Sequence, residues 1–393
     1  MRKAGFFPAL DDKFEGSELK GGHSMRKIAF VIAFLTLVLA SSLAVAQTII
    51  ENPAKPDNPR AGRVVTVKEE MRIEDTGKDF FIKYFFGFKV APDGSIVIND
   101  GGEQALQFDA NGRFLRNLMK KGQGPGELNS ISDIWVQGDQ ILLCGSPIKT
   151  IIFDHNGKIA REITIRGSAQ GLFRFIDVTD GNIFFSRWGV PDVKGRSGWI
   201  DIPQEIVIVA LNSGQARTLG SFLMPGYVYG NSGGFGVTVP QQFIAVPAGK
   251  KNIAISHTPE YLIKIIDNES GIVIRQFRRF YDRIRTKPPE KTSIIADGRP
   301  PAPKYWADIQ ALHVVGDKVW VQTSTIDAKK GVLIDVYDLN GRYIDRFYLK
   351  WSDKDVDPNR VGQRFTFAGG FVYFDDKNAD DLIVIKKCRL IGL

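Results

Sequence analysis

The sequence predicts an all-β fold: a six-bladed β-propeller of four-stranded antiparallel blades, with an N-terminal strand closing the last blade. Three observations carry this expectation. The 40 glycines exceed the ordinary share of ~7% and stand singly at turns, as many short strands require. No stretch beyond residue 46 sustains the 3.6-residue apolar period of a helix. Two kinds of hairpin alternate along the chain.

The first kind is "APDGSIVIND", "VQGDQILLCG", "VTDGNIFFSR", "VVGDKVWVQT" and the shorter "TFAGGFVYFD". Glycine beside Asp or Asn supplies the positive φ that tight hairpin turns need. The second kind is "LQFDANGRFLRN", "IIFDHNGKIARE", "IVALNSGQARTL", "KIIDNESGIVIRQF" and "DVYDLNGRYIDRF", with a turn running from Asx to Gly at Asp109, Asp154, Asn212, Asp267 and Asp338. One hairpin of each kind makes a four-strand meander of about 45 residues, the period of a propeller blade. Units begin near Phe86, Ser132, Leu172, Gln242, Ile309 and Phe365. The last unit runs out after its third strand, "LIVIKKC", while a spare strand, "GRVVTVKEEMRI" at 62–73, precedes the first. Lending that strand to the last blade closes the ring and leaves no open sheet edge.

Residues 25–47, "MRKIAFVIAFLTLVLASSLAVAQ", read as a secretory signal. Arg26 and Lys27 form the basic end, 28–39 the apolar stretch, and Ala44-Val45-Ala46 a cleavage site before Gln47. Residues 1–24 carry four acids, unsuited to precede an export signal, so they read as an extension from a mis-assigned start and Met25 as the initiator. The expected organisation is an extension over 1–24, a signal peptide over 25–46, a linker over 47–61 and one propeller over 62–393. A periplasmic or secreted location follows. The alternative is an uncleaved anchor, since residues 28–46 could just span a bilayer.

Cys144 and Cys388 are the two cysteines; export would permit a disulfide, and buried free thiols are the other reading. Net charge is +8. The densest basic run, "RQFRRFYDRIRTKPPEK" (275–291), interleaves Phe277, Phe280 and Tyr281. It is expected to be a solvated strand-and-loop face, with docking to an anionic surface or polysaccharide as the alternative. Export argues against a nucleic-acid partner.

"KGQGPGEL" does not fit a phosphate cradle. Its glycines fall at 122, 124 and 126, Pro125 removes an N–H, and the chain continues into another strand. Following "FDANGRFLRNL", this stretch resembles bacterial six-bladed β-propeller proteins related to NHL repeats. Those carry a G-x-G-P-G-E loop after the first blade and a recurrent F-D-x-x-G turn. Gly122, Gly124, Pro125, Gly126 and Glu127 match the loop, and Phe108-Asp109/Gly112 and Phe153-Asp154/Gly157 match the turn. The third and fourth units keep only the glycine. The resemblance implies a scaffold and export without an agreed reaction. Many such proteins resemble surface lipoproteins, but no lipobox cysteine follows the apolar stretch here. The loop is expected to be structural: glycines turn the chain towards the axis, Pro125 stiffens it, and Glu127 accepts backbone N–H groups.

Function is expected on the face carrying the b→c and d→a connections, where length varies: 186–205, 220–241, 280–308, 325–331 and 350–364. Trp188, Trp199, Trp306, Trp351, Tyr227, Tyr229 and Tyr305 fall in them. The candidate binding residues are Trp188, Trp199, Tyr305 and Trp306, with Arg196, Asp201 and Asp308, and with Asp192 and Lys194 beside them. Flat rings offer contact area to a peptide, protein or glycan at low entropic cost. The bland alternative is that they plug the channel and pack the loops.

Signals of chemistry are thin. His155, His257 and His313 belong to different units and have no metal-ligand spacing. Asp353, Asp355, Asp357 and Asn359 alternate like the front of a calcium loop, but Pro358 and Arg364 stand where glycine and glutamate are needed. No G-x-S-x-G elbow occurs. A non-catalytic binding module without cofactor is expected; the alternative is a propeller hydrolase or lyase with a divalent metal on the axis.

Overall fold

Two strands come first in the chain and last in the architecture: β1 (Ile50–Asn52) and β2 (Arg63–Glu74). The blades follow. Blade 1 holds β3 (Phe85–Val90), β4 (Ile96–Asp100), β5 (Gln104–Phe108) and β6 (Phe114–Asn117); blade 2 holds β7 (Ser130–Gln137), β8 (Gln140–Ser146), β9 (Lys149–Asp154) and β10 (Ile159–Thr164). Blade 3 is β11 (Phe173–Thr179), β12 (Asn182–Trp188), β13 (Gly198–Ala210), β14 (Ala216–Asn231) and a fifth strand, β15 (Gly234–Thr238). Blade 4 is β16 (Ile244–Pro247), β17 (Asn252–Ser256), β18 (Ile263–Asp267) and β19 (Val273–Arg279). Blade 5 is β20 (Ile309–Val315), β21 (Lys318–Asp327), β22 (Gly331–Asp338) and β23 (Tyr343–Lys350); blade 6 is β24 (Phe365–Ala368), β25 (Phe371–Lys377) and β26 (Ile383–Ile391), completed by β2. This computed structural model describes residues 48–393 apart from 76, 168–172, 189–197, 232–233, 239–242, 287–302 and 359–360. Residues 1–46, read from sequence as an extension and a signal peptide, lie outside the described residues.

Each blade is an antiparallel meander, and the innermost strands touch in order: β3 on β7, β7 on β11, β11 on β16, β16 on β20, β20 on β24 and β24 back on β3. That closes a ring of six. Six apolar clusters fill the six gaps between neighbouring blades. The strands alternate residues towards one neighbour and the other, so both faces of every blade are buried and the central strands read as apolar runs such as Ile96–Ile98. The strand starts fall within two residues of those read from the turns.

Closure is by the N-terminus. β2 pairs antiparallel with β26 over Thr66–Glu74 and parallel with β23 over Arg63–Thr66, joining blades 5 and 6 into one sheet. Arg63 also holds Asp345 of β23 at 3.0 Å. The stretch expected as a linker, 47–61, contains β1, which adds parallel to the outer edge of blade 4. Asn52 anchors it: Nδ2 donates to the Gly341 carbonyl at 2.9 Å and Oδ1 accepts the Tyr343 N–H at 2.9 Å.

The Asx turns form as their sequence requires. Asp338 Oδ1 accepts the N–H groups of Asn340 and Arg342, both at 2.9 Å, and Gly341 takes φ 83°. A Cβ there would also lie 2.7 Å from the Phe277 ring. Cys144 and Cys388 are both free and buried, in different inter-blade clusters, so the disulfide alternative does not hold.

Candidate functional site

The six inner strands enclose a central cavity of about 670 Å³, lined from every blade. Its walls are mostly the first residues of those strands, Gly87–Lys89, Arg174–Phe175, Ile244–Ala245, Ile309–Leu312 and Phe365–Thr366. It therefore opens on the side of the d→a connections, the face expected to carry function. Volumes of roughly 300–1,000 Å³ are typical of small-ligand sites.

The walls are unlike around the ring. Arg364 from blade 6, Lys89 from blade 1 and Arg174 from blade 3 bring three cations. Arg174 and Arg364 are exposed, and Lys89 is partly buried with its ammonium 4.9 Å from the Trp135 ring. Arg364 Nη1 donates to the Phe86 carbonyl at 3.0 Å. The acids are Asp133 and Asp375. Asp133 has each oxygen on a backbone N–H, Ile134 at 2.9 Å and Phe175 at 2.8 Å. Burial pushes its carboxyl above the usual range, with Lys89 and Arg174 pulling against it. Blades 4 and 5 present no charge, but Phe243, Ile244, Trp306 and Leu312 with the amides of Gln310 and Gln322.

Of the predicted site residues, Trp306 lines this cavity, partly buried, with its backbone N–H on the Ile284 carbonyl at 2.9 Å. Tyr305 is set among cations, 5.0 Å from Arg283 and 5.5 Å from Lys304. Asp308, expected as an exposed group orienting a ligand, is only 2% exposed. Its carboxylate takes the Arg283 Nε–H and the Tyr261 N–H, both at 3.0 Å, and clamps blade 4 to blade 5. Burial pushes its carboxyl up to about 6, with Arg283 pulling it down.

Trp188 and Trp199, expected to act together, belong to opposite faces of blade 3. Trp188 stands opposite Gln204, whereas Trp199 has the other parity on the same strand and stands opposite Tyr227. Directly paired residues share a face and neighbours along a strand do not. Both rings are exposed, at 46% and 56%. Trp199 packs edge-on to Tyr227 at 5.5 Å. Asp201 is exposed on the Trp199 face, opposite Pro225. The connection expected over 220–241 is largely strand: β13 and β14 run past the blade as a ribbon, extended by β15. Asp192, Lys194 and Arg196 lie outside the described residues. Trp351 is 5% exposed and packs on Phe365, a packing role.

The basic run, of which 287–291 lie outside the described residues, is only partly solvated: Arg278, Phe280 and Arg285 are exposed, while other members are buried or paired. Arg279, 7% exposed, pairs with the fully buried Asp335 at 2.6 Å. Asp335 also accepts the hydroxyls of Tyr261 at 2.8 Å and Tyr343 at 2.5 Å, and the guanidinium lies 5.0 Å from the rings of Tyr261 and Tyr281. Arg278 pairs with Glu51, Arg283 with Glu260 and Asp308, and Arg275 donates to the Leu339 carbonyl. These arginines fasten blade 4 to β1 and blade 5.

Gly122–Glu127 joins β6 to β7. Glu127 Oε2 accepts the Gly124 N–H at 3.0 Å, and Lys121 and Leu128 form a bridge at its base. Two residues that sequence reading missed secure it: Lys149, 4% exposed, donates to the Gly124 carbonyl at 2.8 Å and to Glu162 at 3.0 Å, while Glu162 accepts the Gly126 N–H at 2.6 Å. His257 packs on Phe222, and His313 on Phe367. Among the described residues, no group of three His, Cys, Asp or Glu side chains could hold a metal ion. Asn359 of the expected calcium loop lies outside the described residues.

Residues 74–194 match the model of a protein family, DUF5128, described as a 6-bladed beta-propeller. The fold is a six-bladed β-propeller. No curated protein matches the chain. Among solved structures, a candidate exported protein from Bacteroides fragilis is 12% identical, covering 88% of this chain and 100% of its own, with a TM-score of 0.49. A DUF4221 family member from Bacteroides vulgatus is 10% identical over 84% and 99%, also with a TM-score of 0.49. The β-propeller domain of Cps50 (Swd1) from a thermophilic Myceliophthora is 10% identical over 83% and 100%, with a TM-score of 0.40. The propeller assignment rests on the strand pairing and the family match.

Proposed function

We propose that this propeller is an exported, non-catalytic recognition module that takes part of a peptide, protein or glycan into its central cavity. The observation that supports this reading is the cavity itself: it gathers side chains from all six blades and opens on the face with the variable connections. Asp308 and Arg279, away from the cavity, are engaged in fastening neighbouring blades, whereas Trp306, Phe86, Arg174 and Lys89 border open space. A rigid ring bearing unlike side chains at its centre suits selective capture. Export through residues 25–46 is part of the same reading, tested by N-terminal sequencing of the secreted protein: Gln47 is the expected first residue, and a retained 25–46 would indicate an anchor.

The test is a peptide and glycan array on residues 47–393, followed by Trp306→Ala. Affinity for a captured ligand should fall about 30-fold, the effect of ~2 kcal/mol at an aromatic anchor, with the melting temperature unchanged. A large drop in melting temperature with unaltered capture would make Trp306 a packing residue and refute the reading.

A further inference from the structure

The cavity wall divides by chemistry. In ring order, blade 6 brings Arg364, blade 1 Lys89 and blade 3 Arg174, with Asp133 of blade 2 between the last two. The facing arc, blades 4 and 5, brings no charged side chain: it presents Phe243, Ile244 and Trp306, with the amides Gln310 and Gln322 beside them. None of the three cations forms an ion pair with a described residue. Asp133 attracts Lys89 and Arg174 electrostatically, but its hydrogen bonds run to the backbone N–H groups of Ile134 and Phe175. Asp375, on the blade 6 side, is the other acid in the wall and leaves a cationic excess. The buried cations Arg279, Arg187 and Lys149 are each paired, on Asp335, Glu205 and Glu162. Cations without a carboxylate partner, facing an uncharged and largely apolar wall across a cavity, match a ligand that is itself two-sided.

We propose that the central cavity binds a small amphipathic anion, with its carboxylate on the Lys89–Arg174–Arg364 arc and its apolar body against Phe243, Ile244 and Trp306. This rests on the recognition reading above and names its ligand class. Two sources share that chemistry: an aliphatic acid, and a peptide C-terminus ending in an apolar residue. The charge arc provides guanidinium and ammonium donors beyond the one that Arg364 spends on the Phe86 carbonyl, and the uncharged arc provides the area that a simple inorganic anion would leave uncovered.

The test is titration calorimetry on residues 47–393 with octanoate, octanol, octylamine and acetate, and with N-acetylphenylalanine and its amide. Octanoate or N-acetylphenylalanine should bind at least tenfold more tightly than octanol, octylamine, acetate and the amide; which acid wins identifies the source. Arg174→Gln and Lys89→Met should each weaken the preferred acid about tenfold with unchanged melting temperature. Equal binding of octanol would mean a merely apolar pocket, equal acetate a simple anion site, and preferred octylamine control by Asp133 and Asp375; each overturns the proposal. If no acid binds while an array ligand is captured in a Trp306-dependent way, the ligand class fails and the recognition reading stands. If neither occurs, both fail.

Discussion

Replacing Asp335 by Asn should destabilise the propeller more than any surface change. Asp335 is fully buried between blades 4 and 5 and accepts hydrogen bonds from Arg279 Nε at 2.8 Å, Tyr261 at 2.8 Å and Tyr343 at 2.5 Å, besides the 2.6 Å contact with Arg279 Nη2. Asparagine keeps the shape, so no cavity opens. It leaves the Arg279 guanidinium charged and desolvated, and removing one partner of a buried pair costs about 3–5 kcal/mol. Two phenol hydroxyls also lose a charged acceptor. At ~2.1 cal/mol/K per residue, unfolding roughly 350 residues carries about 0.7 kcal/mol/K, so a 4 kcal/mol loss lowers the melting temperature by about 6 °C. Urea unfolding followed by tryptophan fluorescence and far-UV circular dichroism reads this directly. The cage argument also requires non-additivity: Arg279→Met with Asp335→Leu should cost at least ~2 kcal/mol less than the two single changes together. A loss below about 1 kcal/mol for Asp335→Asn, or strict additivity, would refute the reasoning.

Deleting residues 48–74 should expose the edges of β23 and β26 and yield aggregates by light scattering; a soluble monomer with wild-type melting would show that β2 is dispensable. Burial holds His257 and His313 down to about 4, against ~6.5 in an unfolded chain. The unfolded chain therefore binds more protons between those values, so the stability each contributes is present above pH 6.5 and lost as pH falls to about 4, at most ~3 kcal/mol apiece. His313→Gln should flatten the fall in urea midpoint between pH 7 and 4.5, and an unchanged slope would count against its burial as the cause. Gly331, at φ 91°, would place a Cβ 2.0 Å from the Leu349 carbonyl oxygen, whereas Gly316, at φ 63°, faces open space. Gly331→Ala is expected to cost about 3 kcal/mol and Gly316→Ala about 1 kcal/mol; equal costs in urea unfolding would contradict the close approach.

Much of the scaffold could be read without coordinates, because β-hairpins announce themselves locally. Asp109, Asp154 and Asp338 with their following glycines mark turns through chemistry contained in a few consecutive residues. Strand starts follow from them, and the strand deficit after "LIVIKKC" required a donor that only 62–73 could supply. The bonds that make a blade are mostly between chain neighbours. The candidate site is different in kind. Lys89, Arg174 and Arg364 are ordinary basic residues spaced far apart, and only closure of the ring brings them to one cavity. Face assignment depends on register: sequence puts Trp188 and Trp199 on one connection, but one residue of parity sends them to opposite sides of blade 3. Burial of charge is equally invisible, since Asp308 and Arg279 look like surface groups until Tyr261, Arg283 and Asp335 from elsewhere in the chain close round them. Local hydrogen-bonding chemistry thus determined the blades, and long-range packing alone decided which side chains meet at the axis.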